Sequence, residues 1–492
     1  MMNMERNARA DGGSLTGRLC EKKVTREISA DFVIPESQPE ARRILAVTER
    51  LLPPAKYVGS STLECNGVID YRVLYLGVDG ELWGVCFSSE YELEAPMDQH
   101  QADISGGVDT MIMTVCEGSS ARVSSGRRLN IRSRLSSDIW AYGEISNEVG
   151  GGELEEDTVE RRFSSVECAS FGGATSEVID LSDEISGFFP DSRVISADAT
   201  AYVGDIRRGE DSLVATGEVC LKLLVCREGQ RAEPMIKKIP FEGVVELMRP
   251  VGNASCRVDC SVTDLAINVG EGKADASVSV VLCADMAENL EISYVADAYS
   301  LERESTCHRS ELGLPVSALC TRGNFSQSER RPLSEVSIPD GARLVEVFPR
   351  VIFDGCQYNG RYEITGRSNY LILWEKDGEY GTAEIEFPVR YEAEGREVDS
   401  PVSAVRGEVI SCRGRIDGEL LCIDSEICAN VSVVGNECAE LVRDITLGEP
   451  YAREKNRMVI YYPADGETPW DVAKRYHVRA DSLAEEKNYY MF

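Results

Sequence analysis

Three nine-residue segments, each opening on glycine, recur at near-equal spacing and constrain the fold more than any other feature of the chain. They are Gly67 to Tyr75 (GVIDYRVLY), Gly217 to Val225 (GEVCLKLLV) and Gly366 to Trp374 (GRSNYLILW), and their glycines stand 150 and 149 residues apart. Within each, large apolar side chains fall on every second position. One face carries Ile69, Tyr71, Val73 and Tyr75, then Val219, Leu221, Leu223 and Val225, then Ser368, Tyr370, Ile372 and Trp374. The opposite face is more polar (Asp70 and Arg72; Glu218, Cys220 and Lys222; Arg367 and Asn369) and ends each time on a leucine: Leu74, Leu224 and Leu373. A period of two belongs to a strand with one buried face, not to a helix. Repetition at domain-sized intervals predicts three copies of one β-rich unit, with the glycine-led strand at the centre of its sheet.

The flanking sequence extends the pattern. Asp79-Gly80 precedes Leu82 to Phe87, Gly229 precedes Met235 to Val245, and Asp377-Gly378 precedes Ala383 to Val389; Asp-Gly between alternating runs is a hairpin signal. Each copy closes on a segment rich in Val, Ile, Ser and Arg, at Ala121 to Leu135, Ser255 to Leu265 and Val409 to Leu420. The expected class is mainly β, with antiparallel, sandwich-like or barrel-like repeats of about 150 residues and a small α+β module at the C-terminus. Residues 1–149, 161–302 and 332–449 are the expected repeats. An acidic, glycine-rich linker is expected over 150–160, where five acidic side chains fall in eight residues, a polar connection over 303–331, and the module over 458–492. Inside the first repeat, Ile44, Val47 and Leu51 share a helical face between Pro39 and the Pro53-Pro54 pair, which predicts a helix over Pro39 to Leu52.

Charge and cysteine usage narrow the function classes. A formal net charge of −32 on 492 residues disfavours nucleic acid and anionic lipid as partners and favours a basic one. No apolar run long enough for a signal peptide opens the chain, and none suits a membrane span, so a cytoplasmic protein without an integral membrane segment is expected. Seventeen cysteines are scattered without the CxxC pair that a zinc or redox site needs, and the nearest approach, Cys256 with Cys260, reads as two small buried hydrophobes on one strand face.

The last 35 residues carry the most specific pattern. A β-prone run, Val459-Ile460-Tyr461-Tyr462, is followed by Asp465-Gly466-Glu467-Thr468-Pro469-Trp470-Asp471-Val472-Ala473-Lys474-Arg475-Tyr476. Thr468 is placed to cap a helix, Pro469 suits its first position, and Asp471 stands three residues after the cap. A second short helix is expected over Ala480 to Lys487. Gly466, Thr468, Trp470, Ala473, Tyr476, Val478, Leu483 and Asn488 resemble the LysM family. That resemblance implies a β-α-α-β module binding N-acetylglucosamine-containing glycans between the loop after its first strand and the loop before its last. Only Tyr489, Tyr490, Met491 and Phe492 follow Asn488, so a shortened module without its last strand is expected.

The three upstream copies resemble the SPOCS domain of endospore-forming bacteria, in which an Ile-Pro-Glu or Ile-Pro-Asp entry, here Ile34-Pro35-Glu36 and Ile338-Pro339-Asp340, precedes a glycine-led strand. SPOCS units followed by one LysM module imply a spore coat morphogenetic protein. The resemblance implies a mother-cell protein at the forespore surface, a scaffold whose module docks on the ATPase of the coat basement layer, with peptidoglycan as the alternative partner. The partner-binding residues that it implies are Gly466, Glu467, Thr468, Pro469, Trp470, Lys474, Tyr476 and Asn488.

Catalytic patterns are missing from the sequence. The three histidines, His100, His308 and His477, lie in different segments, and neither HExxH nor GxSxG occurs. Gly270-Glu271-Gly272-Lys273-Ala274 fails as a phosphate loop, with Ile267 at the first glycine position and Ala274 at the hydroxyl position. The expectation is a non-enzymatic protein that uses neither metal nor cofactor.

Overall fold

The computed structural model describes residues 15–59, 61–97, 104–145, 156–189, 191–227, 230–248, 250–270, 272–451, 460–462, 464, 466–486 and 489–491. The chain is mainly β. Its first unit comprises β1 (Leu15–Val33), β2 (Ala41–Leu51), β3 (Ala55–Val58), β4 (Thr62–Gly77), β5 (Leu82–Pro96), β6 (Ile104–Ser125) and β7 (Arg128–Ile145). The second comprises β8 (Val159–Ser186), β9 (Arg193–Arg208), β10 (Ser212–Cys226), β11 (Glu233–Glu246), β12 (Ser255–Val269) and β13 (Lys273–Ser300). The third comprises β14 (Arg303–Pro332), β15 (Arg343–Tyr358), β16 (Tyr362–Lys376), β17 (Glu379–Ala393), β18 (Val402–Asp417) and β19 (Leu420–Pro450).

One antiparallel topology occurs in each unit. The first, last and penultimate long strands form one sheet, in the orders β1-β7-β6, β8-β13-β12 and β14-β19-β18. The strands between form the other, with β4, β10 and β16 paired on both sides. These central strands are the glycine-led segments. Their alternate residues pack against the long closing strand of the facing sheet: Ile69, Tyr71, Val73 and Tyr75 share a core with Leu129, Ile131, Leu135 and Ile139, and Val219, Leu221 and Leu223 with Val278, Val280 and Leu282. In the third unit Tyr370 and Ile372 meet Leu421 and Ile423. Each unit is thus a two-layer sandwich, and each fully buried apolar side chain contributes roughly 1.5–3 kcal/mol.

Turn chemistry sets the register. Asp377 and Gly378 have φ of 51° and 83°, the left-handed pair of a two-residue hairpin, and Lys376 pairs directly with Glu379. Gly80, at φ 84°, serves the wider turn between β4 and β5. Gly229 lies outside the described residues.

The polar face of each central strand has a use of its own. Leu74, Leu224 and Leu373 converge in one buried cluster with Leu45, Ile195 and Val345, which come from the first strand of the same sheets and stand 150 residues apart. Each unit therefore contributes at least one residue from each of two paired strands to a shared junction core. Arginine–carboxylate pairs join every pair of units around it: Arg72 with Asp198 between the first and second, Arg350 with Glu49 between the third and first, and Arg406 with Asp259 at 3.3 Å between the third and second. A cavity of about 780 Å³ lies at this junction.

Two expectations are corrected. Residues 303–331 are not a connection; they are β14, paired along its length with β19 from Arg303↔Pro450 to Pro332↔Leu420. Their polar side chains line the exposed side of a strand whose backbone is held by the ladder. Pro39 to Leu52 is not a helix; Ala41–Leu51 is β2, paired with β4 from Ala41↔Gly77 to Leu51↔Ile69. The β-branched Ile44, Val47 and Thr48 suit a pleated edge, and pairing with a buried strand outweighs the helical spacing. Of the expected acidic linker, residues 150–155 lie outside the described residues, and Val159 and Glu160 already belong to β8.

Beyond the junction two antiparallel strand pairs run on side by side as an arm: β8 with β13 from Phe171↔Ala287 to Val159↔Ser300, and β14 with β19 from Pro315↔Asn436 to Arg303↔Pro450. Val166 and Cys168 pack on Leu314 and Leu441, and Val295 and Ala298 on Val442 and Ile445. The C-terminal module sits at the tip of this arm.

Candidate functional site

The module consists of β20 (Ile460–Tyr461), α1 (Pro469–Tyr476), a 3-10 turn over Ala480–Ser482, β21 (Ala484–Glu486) and β22 (Tyr489–Met491). Thr468 caps α1: its side chain accepts from the Asp471 N–H at 3.3 Å, while Asp471 Oδ2 accepts from the Thr468 N–H at 2.9 Å. Pro469 occupies the first turn, and His477, at φ 54°, closes the helix in the left-handed region. The second helix expected over Ala480 to Lys487 is one 3-10 turn followed by β21, because the segment pairs with β22 instead of coiling; Lys487 itself lies outside the described residues. The last strand is present. β22 pairs with both β20 and β21, so three residues complete the sheet that the sequence was expected to leave open.

The residues implied by the resemblance divide into two groups. Gly466, at φ 86°, Thr468 and Pro469 are exposed on the loop that enters α1. Glu467 is tied into the module: its carboxylate accepts from Tyr461 Oη at 2.8 Å and from the Ala464 N–H at 3.0 Å, and it pairs with Arg475 at 2.5 Å. These partners hold it below the usual glutamate range, the Ala464 amide first. Tyr476 stacks edge-on against Tyr461 with ring centroids 5.5 Å apart. Asn488 lies outside the described residues.

Trp470 and Lys474 face the other way, into the second unit. Trp470 Nε1 donates to Asp297 Oδ2 at 2.8 Å, and Lys474 Nζ donates to both oxygens of Asp297 at 2.7 and 2.8 Å. Arg309 completes the set at 2.8 Å. The Trp470 ring lies edge-on to Tyr299 at 4.9 Å and under the Arg162 guanidinium at 5.6 Å. Tyr299 Oη donates to the Val478 carbonyl at 2.7 Å, and Tyr299, Leu301 and Ala473 form a small core joined by Trp470, Val478, Ala480 and Leu483. Comparison with protein-family models, with curated proteins and with solved structures finds no match.

Electrostatics make Asp297 the centre of this contact. It is 7% exposed. Burial pushes its pKa up, but the hydrogen bonds from Lys474 and Trp470 and the charge of Arg309 outweigh burial and hold it below the usual aspartate range. Sequence reading missed Asp297, Tyr299 and Arg162. They lie in β13 and β8, more than 150 residues from the tail, and no local signal marks them.

Among the described residues no three or more His, Cys, Asp or Glu side chains come together to hold a metal ion, and no helix is long and apolar enough to cross a membrane. The seventeen cysteines are all thiols. Burial pushes Cys116 up to about 12 and Cys65 and Cys428 to about 11, which keeps these three protonated and unreactive at neutral pH.

Proposed function

We propose that the protein is a non-enzymatic scaffold of spore coat assembly, held at the forespore surface in the mother-cell cytoplasm, which docks on a coat basement-layer ATPase through its C-terminal module. The resemblance of the tail and of the glycine-led units suggests this role. The observation that carries the reading is the division of the tail residues: Trp470 and Lys474 anchor the module on the second unit, while Gly466, Thr468 and Pro469 remain exposed on the opposite loop. Three β units fused around one junction core give such a loop a rigid platform. A net charge of −32 suits a basic docking surface on the partner.

A second reading has its own observation. β22 closes the sheet of the module by pairing with β20 and β21, which keeps peptidoglycan as the alternative partner. One experiment separates them. The full chain and a chain ending at Tyr451 are each tested for capture on the immobilised ATPase and for co-sedimentation with purified peptidoglycan. Tail-dependent capture on the ATPase supports docking, tail-dependent sedimentation supports the alternative, and equal behaviour of the two chains in both assays removes the tail from the function.

A further inference from the structure

We infer that the docking element is a composite of the tail and the second β unit, in which Asp297 and Tyr299 are positioning residues, so that the exposed loop at Gly466, Thr468 and Pro469 is presented only when the second unit holds α1. The inference rests on the reading that the tail is the docking element.

An eight-residue helix cannot sustain itself in water, where isolated helices of fewer than about 12–15 residues are marginal. The helix buries only Val472 and Ala473 of its own. The rest of the surface that it needs is lent by the second unit through Tyr299 and Leu301.

The hold is applied at both ends of α1. Asp297 takes the Trp470 indole N–H in the first turn and the Lys474 ammonium in the last; past the helix end Tyr299 donates to the Val478 carbonyl, and Tyr451 stacks on His477 at 3.8 Å. Two separated attachments fix the rotation of a helix as well as its place. A register shift in β13 between Val295 and Asp297 re-aims the carboxylate, and shifts of this kind recur where a strand must present one side chain out of alternation. Asp297 also needs the tail. Without Lys474 and Trp470, the Asp297 carboxylate would lose three of its hydrogen bonds and keep the ion pair with Arg309. Socket and helix are therefore mutually dependent, and the face turned into the socket sets which face turns out.

The test uses the full chain throughout, as wild type, Asp297→Ala, Asp297→Asn and the chain ending at Tyr451. Hydrogen–deuterium exchange over residues 469–478 reads the hold on α1, and affinity for the purified basement-layer ATPase reads presentation. Asp297→Ala is expected to speed exchange there and to weaken binding on the order of tenfold or more, the usual result of truncating one partner of a buried charged pair. Asp297→Asn keeps an acceptor for the indole N–H and is expected to fall between Asp297→Ala and wild type, which a merely disrupted strand would not produce. Unchanged exchange in Asp297→Ala overturns the inference. Faster exchange with wild-type affinity also overturns it, as does higher affinity, which would mean that the second unit withholds Trp470 from the partner. If the chain ending at Tyr451 binds as well as wild type, the docking reading itself fails, and the exchange data alone then decide whether Asp297 holds the helix.

Discussion

Trp470 Nε1 lies 2.8 Å from Asp297 Oδ2, so the tryptophan that resembles a family signature is committed to a contact inside its own chain. Trp470→Ala removes that hydrogen bond, the edge-on contact with Tyr299 and the Arg162 cation–π contact. The expected cost is about 3–5 kcal/mol to the docked state of the tail, more than a module of this size can spare. Trp470→Phe keeps a ring against Tyr299 and should lose less. Limited proteolysis in the tail checks both, with the β units expected to stay intact.

Tail docking should depend on pH in one direction. Asp297 has a folded pKa below its ordinary 3.8, so its contribution is complete above that ordinary value and is lost as pH falls through the depressed folded value. Protection factors over 469–478, corrected for the intrinsic exchange rate at each pH, should therefore fall in acid in wild type. A chain carrying Asp297→Asn should already exchange faster at neutral pH and change less on acidification.

The tail and the β units differ in how much could be read in advance. Strand identity at Gly67 to Tyr75 and its two counterparts was legible because one face of each is turned inward, entirely buried at Ile69, Tyr71, Val73 and Tyr75 and buried as far as Ile372 in the third copy, and burial writes a period of two. The cap at Thr468, Pro469 and Asp471 was legible because its hydrogen bonds are three residues long. β2 and β14 were not. Their state is decided by distant partners, such as Leu74 for Ala46, 28 positions away, and Pro450 for Arg303, 147 positions away, and those partners outweigh a local helical spacing or a polar composition. Leu74, Leu224 and Leu373 could be seen to recur, but not to meet, and Asp297 gave no sign at all.

Those leucines give a prediction about cooperativity. Leu224 and Leu373 are 3% and 0% exposed in the junction core shared by three units, so Leu224→Ala or Leu373→Ala should cost about 2–5 kcal/mol. Val244, 43% exposed on β11, is the control, and Val244→Ala should change stability by less than about 0.5 kcal/mol. Urea unfolding monitored by intrinsic fluorescence measures both.

Glu408, at the junction cavity, is expected to act against the fold as pH rises. Burial pushes its pKa up to about 7; Arg406 and Arg322 lower it too little to compensate, and Asp259 and Asp198 add to the rise. Between its ordinary 4.5 and about 7 the folded chain keeps a proton that the unfolded chain has lost, so this group makes stability fall with rising pH across that window. Glu408→Gln should flatten this part of the stability profile and raise the unfolding midpoint at pH 8, as measured by urea titration at a series of pH values.

The most direct test of the central claim is the position, in sporulating cells, of fluorescently tagged full chain, of the chain ending at Tyr451 and of full-length Asp297→Ala. A ring at the forespore is expected for the full chain, diffuse mother-cell fluorescence for the truncated chain, and a weakened ring for Asp297→Ala. A normal ring from the chain ending at Tyr451 would contradict that claim.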